Sequence, residues 1–137
     1  MQSNELERQK LWKRAESLCP VSKTLDIIGD KWSMLIIRDL LAGKRYYNEF
    51  LSSYEGISTN ILAARLKAFV EHGLVERVVD SSGQGQGRAG KNAYELTNKG
   101  KDLYPVLHAI AFWGLEHIEG TAMLVDAERF TINQVDK

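Results

Sequence analysis

The stretch "GISTNILAARLKAFVEHG", Gly56 to Gly73, decides how the chain folds. Ser58 predicts an N-cap, because its hydroxyl can accept from an N–H that the first helical turn leaves unpaired, and Gly73 predicts the stop. Between them Leu62, Leu66, Phe69 and Val70 recur at i, i+4, i+7 and i+8, the spacing of one buried face. Asn60, Ala63, Ala64 and Lys67 fall on the opposite face, with Thr59 and Asn60 at the exposed first turn. Such a helix packs on one side and offers small and polar groups on the other.

Upstream, Asp30 predicts the cap of "KWSMLIIRDLLAG", which is apolar on nearly every side through Trp32, Met34, Leu35, Ile36, Ile37, Leu40 and Leu41 and belongs in mid-core. Before it, "SKTLDIIG" reads as a helix with Ser22 as N-cap and Gly29 as stop. Earlier still, "NELERQKLWKRAESL" is an amphipathic helix with Leu11, Trp12, Ala15 and Leu18 at helical spacing, which Cys19-Pro20 brings to an end. "KRYY" predicts a short extended piece, and "NEFLSSYEG" a short helix with Phe50 and Leu51 inward.

Downstream, "LVERVVD" and "NAYEL" are β-branched or alternating and predict two strands of a hairpin. "TNKGKDLYPVLHAIAFWGLEHIE" predicts one long amphipathic helix, kinked around Tyr104-Pro105, with Leu103, Leu107, Ile110 and Trp113 along one side. Gly120 to Lys137 has weak periodicity and reads as a tail.

Helix, short strand, helix, second helix, strand, loop, strand is the order of a winged helix. The expected fold class is therefore α+β and mostly helical, a winged helix-turn-helix with extra helices at both ends. In that arrangement the Ser58-capped helix enters the major groove of double-stranded DNA. Asn60 suits adenine, Lys67 suits guanine or phosphate, and Ala63 and Ala64 can pack on thymine methyls. Arg65 lies near the edge of the apolar face, where it reaches a phosphate or an acidic neighbour. Lys44 and Arg45, ahead of the first helix of the pair, and Arg88 and Lys91 in the hairpin loop are two basic pairs for the DNA backbone. A plain solvated helix face and a soluble loop are the alternatives at each position.

The loop "DSSGQGQGRAGKNAYEL" carries two competing signals. Gly85, Gly87 and Gly90 fit G-x-G-x-x-G, and Gly85, Gly90 and Lys91 fit most of G-x-x-x-x-G-K-[ST]. A phosphate cradle of either kind must lead into a helix, and the second needs Ser or Thr for magnesium. Here Asn92 stands in that position and a predicted strand follows. A flexible hairpin connection explains the glycines better.

With 137 residues the chain suits one small domain with extensions. Eighteen basic residues balance eighteen acidic ones, so a nucleic-acid surface has to come from local clustering. One cysteine, Cys19, excludes an internal disulfide framework. His72, His108 and His117 lie at no zinc-type spacing and within no nucleophile and base pattern. No metal, cofactor or catalytic set is expected, nor a membrane segment, and a reducing cytoplasm fits the cysteine usage.

Five separated motifs now carry a resemblance: Cys19-Pro20, "IGDKW" at Ile28 to Trp32, "GIS" at Gly56 to Ser58, "HGLVER" at His72 to Arg77 and "YELTNKG" at Tyr94 to Gly100. From about Cys19 to Glu116 the chain resembles the HxlR-type family of bacterial winged-helix transcriptional regulators. The resemblance implies a homodimer on operator DNA, formed by a dimerisation helix at 1–18 and the long last helix of a winged domain at 19–118, with a tail at 119–137. Leu11, Trp12, Leu107, Ile110 and Trp113 are then interface candidates as well as core candidates. It also implies sensing of redox signals or small electrophiles at Cys19. The wing connection departs from the family pattern, being long and glycine-rich where shorter, proline-containing loops are common. Two rival readings stand beside this one: a winged helix that binds proteins and no operator, and a small apolar effector held at a dimer seam near Trp32 and Trp113.

Overall fold

The computed structural model describes residues 4–8, 17–80 and 91–122. Residues 4–8 are helical. Then follow α1 (Pro20–Ile28), α2 (Lys31–Leu41), α3 (Tyr47–Leu51), α4 (Thr59–Glu71), β1 (Val75–Asp80), β2 (Lys91–Leu96), α5 (Asn98–Lys101) and α6 (Tyr104–His117). The fold is mostly helical with a two-stranded antiparallel sheet, arranged as a winged helix-turn-helix.

The caps explain most boundaries. Asp30 accepts from the Trp32 and Ser33 N–H groups at 3.1 Å and starts α2. Ser58 accepts from Ile61 N–H at 3.2 Å and starts α4. Gly73 follows the end of α4 with φ +74°, a left-handed turn that a side chain would strain.

Two predicted boundaries are corrected. α1 begins at Pro20 with Cys19 in the N-cap position, not at Ser22, because proline's missing N–H costs nothing in a first turn. The predicted kinked helix after Thr97 is two helices, α5 and α6, separated by a turn at Asp102 and Leu103. Pro105 cannot donate back to the preceding turn, so it is accommodated in the first turn of α6.

α2 runs through the core, as its all-round apolar sequence requires. Ile36, Ile37 and Leu40 pack with Phe50 of α3, with Leu62, Leu66 and Phe69 of α4, and with Val75 and Tyr94 of the sheet. A second, smaller cluster joins Ile28, Met34 and Leu107. In the hairpin, Arg77 lies opposite Tyr94 and Asp80 opposite Lys91. The extended piece at "KRYY" is shorter than predicted. Arg45 C=O accepts from Tyr94 N–H at 2.8 Å, and Tyr47 already belongs to α3.

Candidate nucleic-acid interface

α4 is the element on which the site is built. Leu62, Leu66 and Phe69 are buried on one side. Ser58, Thr59, Asn60, Ala63, Ala64 and Lys67 are exposed on the other. The helix is held at both ends. At its C-terminus Thr97 Oγ1 donates to Gly73 C=O at 2.6 Å and Lys99 Nζ donates to His72 C=O at 2.7 Å.

The turn leading into α4 is pinned by a charged network. Arg38 of α2 makes two 2.9 Å bonds to the Glu55 carboxylate and also pairs with Asp39 at 3.0 Å. The Arg38 guanidinium holds the Glu55 carboxyl at about 2, well below the usual range, against the opposing effect of burial. Asp39, almost fully buried, accepts from Ser53 Oγ, and Lys44 Nζ donates to Ser53 Oγ at 2.9 Å. One buried carboxylate thus ties α2 to the segment between α3 and α4.

The predicted cations divide sharply. Lys44 lies 3.6 Å from Asp39 within that network, and Arg45 pairs with Glu95 across to β2. Arg65 Nη1 lies 3.5 Å from Asp30 Oδ1, so it takes the acidic-neighbour alternative. Burial pushes the Asp30 carboxyl up, but the Ser33 hydrogen bonds and the Arg65 charge outweigh it and hold it below its ordinary value. These three cations therefore do structural work in this chain. Arg88 lies outside the described residues, and Lys91 opens β2.

Lys67 stays exposed and enters no ion pair with a described residue. It borders an open cavity of about 420 Å³ between α4 and the sheet, lined also by Ala63, Val70, Glu71, Tyr47, Tyr94 and Arg77. The Tyr47 and Tyr94 rings lie 5.9 Å apart at 46°. Burial, and then the neighbouring Tyr94 phenol, raise the Tyr47 pKa, while the Arg77 charge opposes them. Tyr47 and Arg77 were not among the predicted site residues. They come together only through the hairpin register and the placement of α3.

The HxlR-like helix-turn-helix family model matches residues 27–122, which span the helix pair, the hairpin and α6. The chain belongs to this family. The uncharacterised HTH-type transcriptional regulator YdeP of Bacillus subtilis (strain 168) is 35% identical over 96 residues, 70% of this chain and 71% of YdeP. The crystal structure of PA1607 is similar with 40% identity and a TM-score of 0.69, over 80% of this chain and 73% of that one. The redox regulator HypR in its oxidised form is similar with 30% identity and a TM-score of 0.63, over 74% of this chain and 99% of HypR. The chain is accordingly a helix-turn-helix transcriptional regulator of the HxlR type, a DNA-binding family and not an enzyme.

In this HxlR-type chain the glycine loop leads into a strand. Asn92 sits within β2, so neither nucleotide-binding pattern meets the helix it needs. Among the described residues no group of three or more His, Cys, Asp or Glu is placed to hold a metal ion. No described helix is long and apolar enough to cross a membrane.

The expected interface residues fall into three groups. Leu11 and Trp12 lie outside the described residues. Leu107 takes the core alternative, 6% exposed and packed with Ile28 and Met34. Ile110 and Trp113 are 53% and 61% exposed, and Phe112 beside them is also exposed. An open apolar groove of about 630 Å³ lies between α1 and α6, lined by Val21, Leu25, Met34, Leu35, Val106 and Ile110 among others. Trp32 packs on the main core, and Trp113, 61% exposed, is not among the residues that line this groove. Cys19 is half-buried where α1 begins, its N–H donating to Ser17 Oγ at 3.1 Å.

Proposed function

We propose that the chain binds operator DNA as a cytoplasmic homodimer and regulates transcription from it. The observation that carries this reading is the two-sided character of α4. Its apolar face is consumed by the core, and its opposite face, with Ser58, Thr59, Asn60, Ala63 and Lys67, is exposed. That face is small and polar at the N-terminal end, which suits close approach to base edges in a major groove. Lys91, which opens β2, and Arg88, outside the described residues, add backbone contacts.

The exposed apolar side of α6 supports the dimer. Val106, Ile110 and Trp113, at i, i+4 and i+7 of that helix, form an exposed stripe that a second copy covers by a twofold arrangement. Residues 1–18, with Leu11 and Trp12, complete that interface, residues 19–118 form the winged domain, and 119–137 a tail.

A redox function for Cys19 is the finer reading, supported by the likeness to HypR, a redox regulator. Cys19 precedes Pro20 and Val21, which line the apolar groove, so oxidation or alkylation of its sulfur bears on the proposed dimer seam. The test is a titration against duplex DNA from upstream of the coding region at several salt concentrations, with and without a quinone. Sequence-selective, salt-dependent binding that the quinone alters only when Cys19 is present supports the whole reading. Binding without sequence preference overturns the operator assignment, and a quinone response that survives Cys19→Ser overturns the sensor.

A further inference from the structure

The cavity between α4 and the sheet has a charge pattern unlike the rest of the surface around the helix pair. Arg38, Lys44, Arg45 and Arg65 are each neutralised by a carboxylate within the fold. Lys67 and Arg77 form no ion pair with a described carboxylate, and both line this cavity. Among the described residues its one acid is Glu71, a turn beyond Lys67 on α4, which leaves their net charge positive by one. Arg77 projects from β1 directly opposite Tyr94, and the Tyr47 ring lies beside Tyr94. Two cations from different elements thus converge over a wall of two phenol rings.

We infer that Arg77 and Lys67, with Tyr47 and Tyr94 behind them, form a seat for a DNA backbone phosphate at the junction of α4 and the wing. The inference rests on the operator-binding reading and makes it more specific. Arg offers a planar fork and Lys a point charge, a pairing suited to a phosphodiester oxygen pair. Ala63 and Lys67 belong both to this cavity and to the exposed face of α4. A strand whose bases meet Asn60 therefore runs its backbone past the cavity, which Ala63 and Lys67 border about one and two turns further along the helix. The open 420 Å³ space is larger than one phosphate group and accommodates flanking sugars. A consequence is that Lys67 fixes register and reads no base, which decides between its two sequence-derived roles.

The test measures binding of the full chain to upstream and scrambled duplexes from low to high salt, for the parent, Arg77→Ala and Arg77→Lys. A phosphate contact predicts that Arg77→Ala weakens both duplexes by the same factor and lowers the salt slope by about one per subunit. Arg77→Lys retains most of the slope. Arg77 is exposed, and an unchanged unfolding temperature for each variant establishes that the fold is intact. If the parent binds DNA and Arg77→Ala changes neither affinity nor slope, the seat is wrong and operator binding stands. A variant that reorders duplex preference makes Arg77 a base reader and overturns the seat. If the parent binds no DNA, the operator reading falls and takes the seat with it. Inorganic phosphate, added at constant ionic strength without DNA, distinguishes the other source. A saturable, Arg77-dependent shift of the Tyr47 and Tyr94 resonances assigns the site to a free anion and overturns the DNA assignment.

Discussion

Replacing Glu55 by Gln isolates the network that fixes the turn into α4. The substitution keeps the shape of the side chain and removes the charge that Arg38 grips through two 2.9 Å bonds. Glu55 titrates at about 2 in the fold against an ordinary 4.5, a difference whose upper bound is about 3 kcal/mol. The pair is not sealed from water, since a fifth of the Arg38 side chain and a quarter of the Glu55 side chain remain accessible. Screening reduces the expected loss to about 1 kcal/mol, or ~4 °C in unfolding temperature for a domain of this size.

The pH dependence is the sharper signature of that pair. A carboxyl whose folded pKa is depressed stabilises the fold above its unfolded pKa, and that contribution fades as pH falls through the folded value. The parent is therefore more stable than Glu55→Gln near pH 7, and the two converge between pH 4.5 and about 2. Urea unfolding followed by circular dichroism from pH 7 to 3 measures the difference. A gap that stays constant over that range refutes the ion-pair account. A variant as stable as the parent at pH 7 also refutes it.

Three further outcomes follow from packing. Leu107→Ala, in the core with Ile28 and Met34, costs about 3 kcal/mol in urea unfolding, whereas Trp113→Ala leaves unfolding of the isolated subunit nearly unchanged and shifts sedimentation toward monomer. Gly100→Ala places a Cβ 2.1 Å from the Leu74 carbonyl oxygen and costs about 3 kcal/mol, read as a lower urea midpoint. Ser58→Ala removes the cap of α4 and costs about 1 kcal/mol, with faster hydrogen exchange confined to the first turn of that helix.

Local signals were legible in the sequence because their chemistry is local. Ser58, Asp30 and Gly73 each act within four residues of their position, so cap and stop can be read without the fold. The faces of α4 were legible too, since one period sorts Leu62, Leu66 and Phe69 from Asn60 and Lys67. The ion pairs of Lys44 and Arg45 were not legible, because their neutralising partners are set by the fold, Arg45 meeting Glu95 fifty positions away. Leu107 shares its helical spacing with Ile110 and Trp113, so periodicity alone could not separate a core residue from exposed ones. Ser22 has the side chain of a cap, but the placement of Pro20 in the first turn puts Cys19 in the cap position instead. Tyr47 and Arg77 carried a weak signal at most, an aromatic ahead of a short helix and an arginine within a strand. Their meeting depends on the Arg77 to Tyr94 register.

The central claim is that the exposed face of α4 reads bases in an operator. The most direct measurement is the ratio of affinities for upstream and scrambled duplexes at one fixed salt concentration, for the parent and for Asn60→Ala. A lost base contact predicts that the ratio falls roughly tenfold, with little change in binding to the scrambled duplex. An Asn60→Ala ratio equal to that of the parent contradicts the claim.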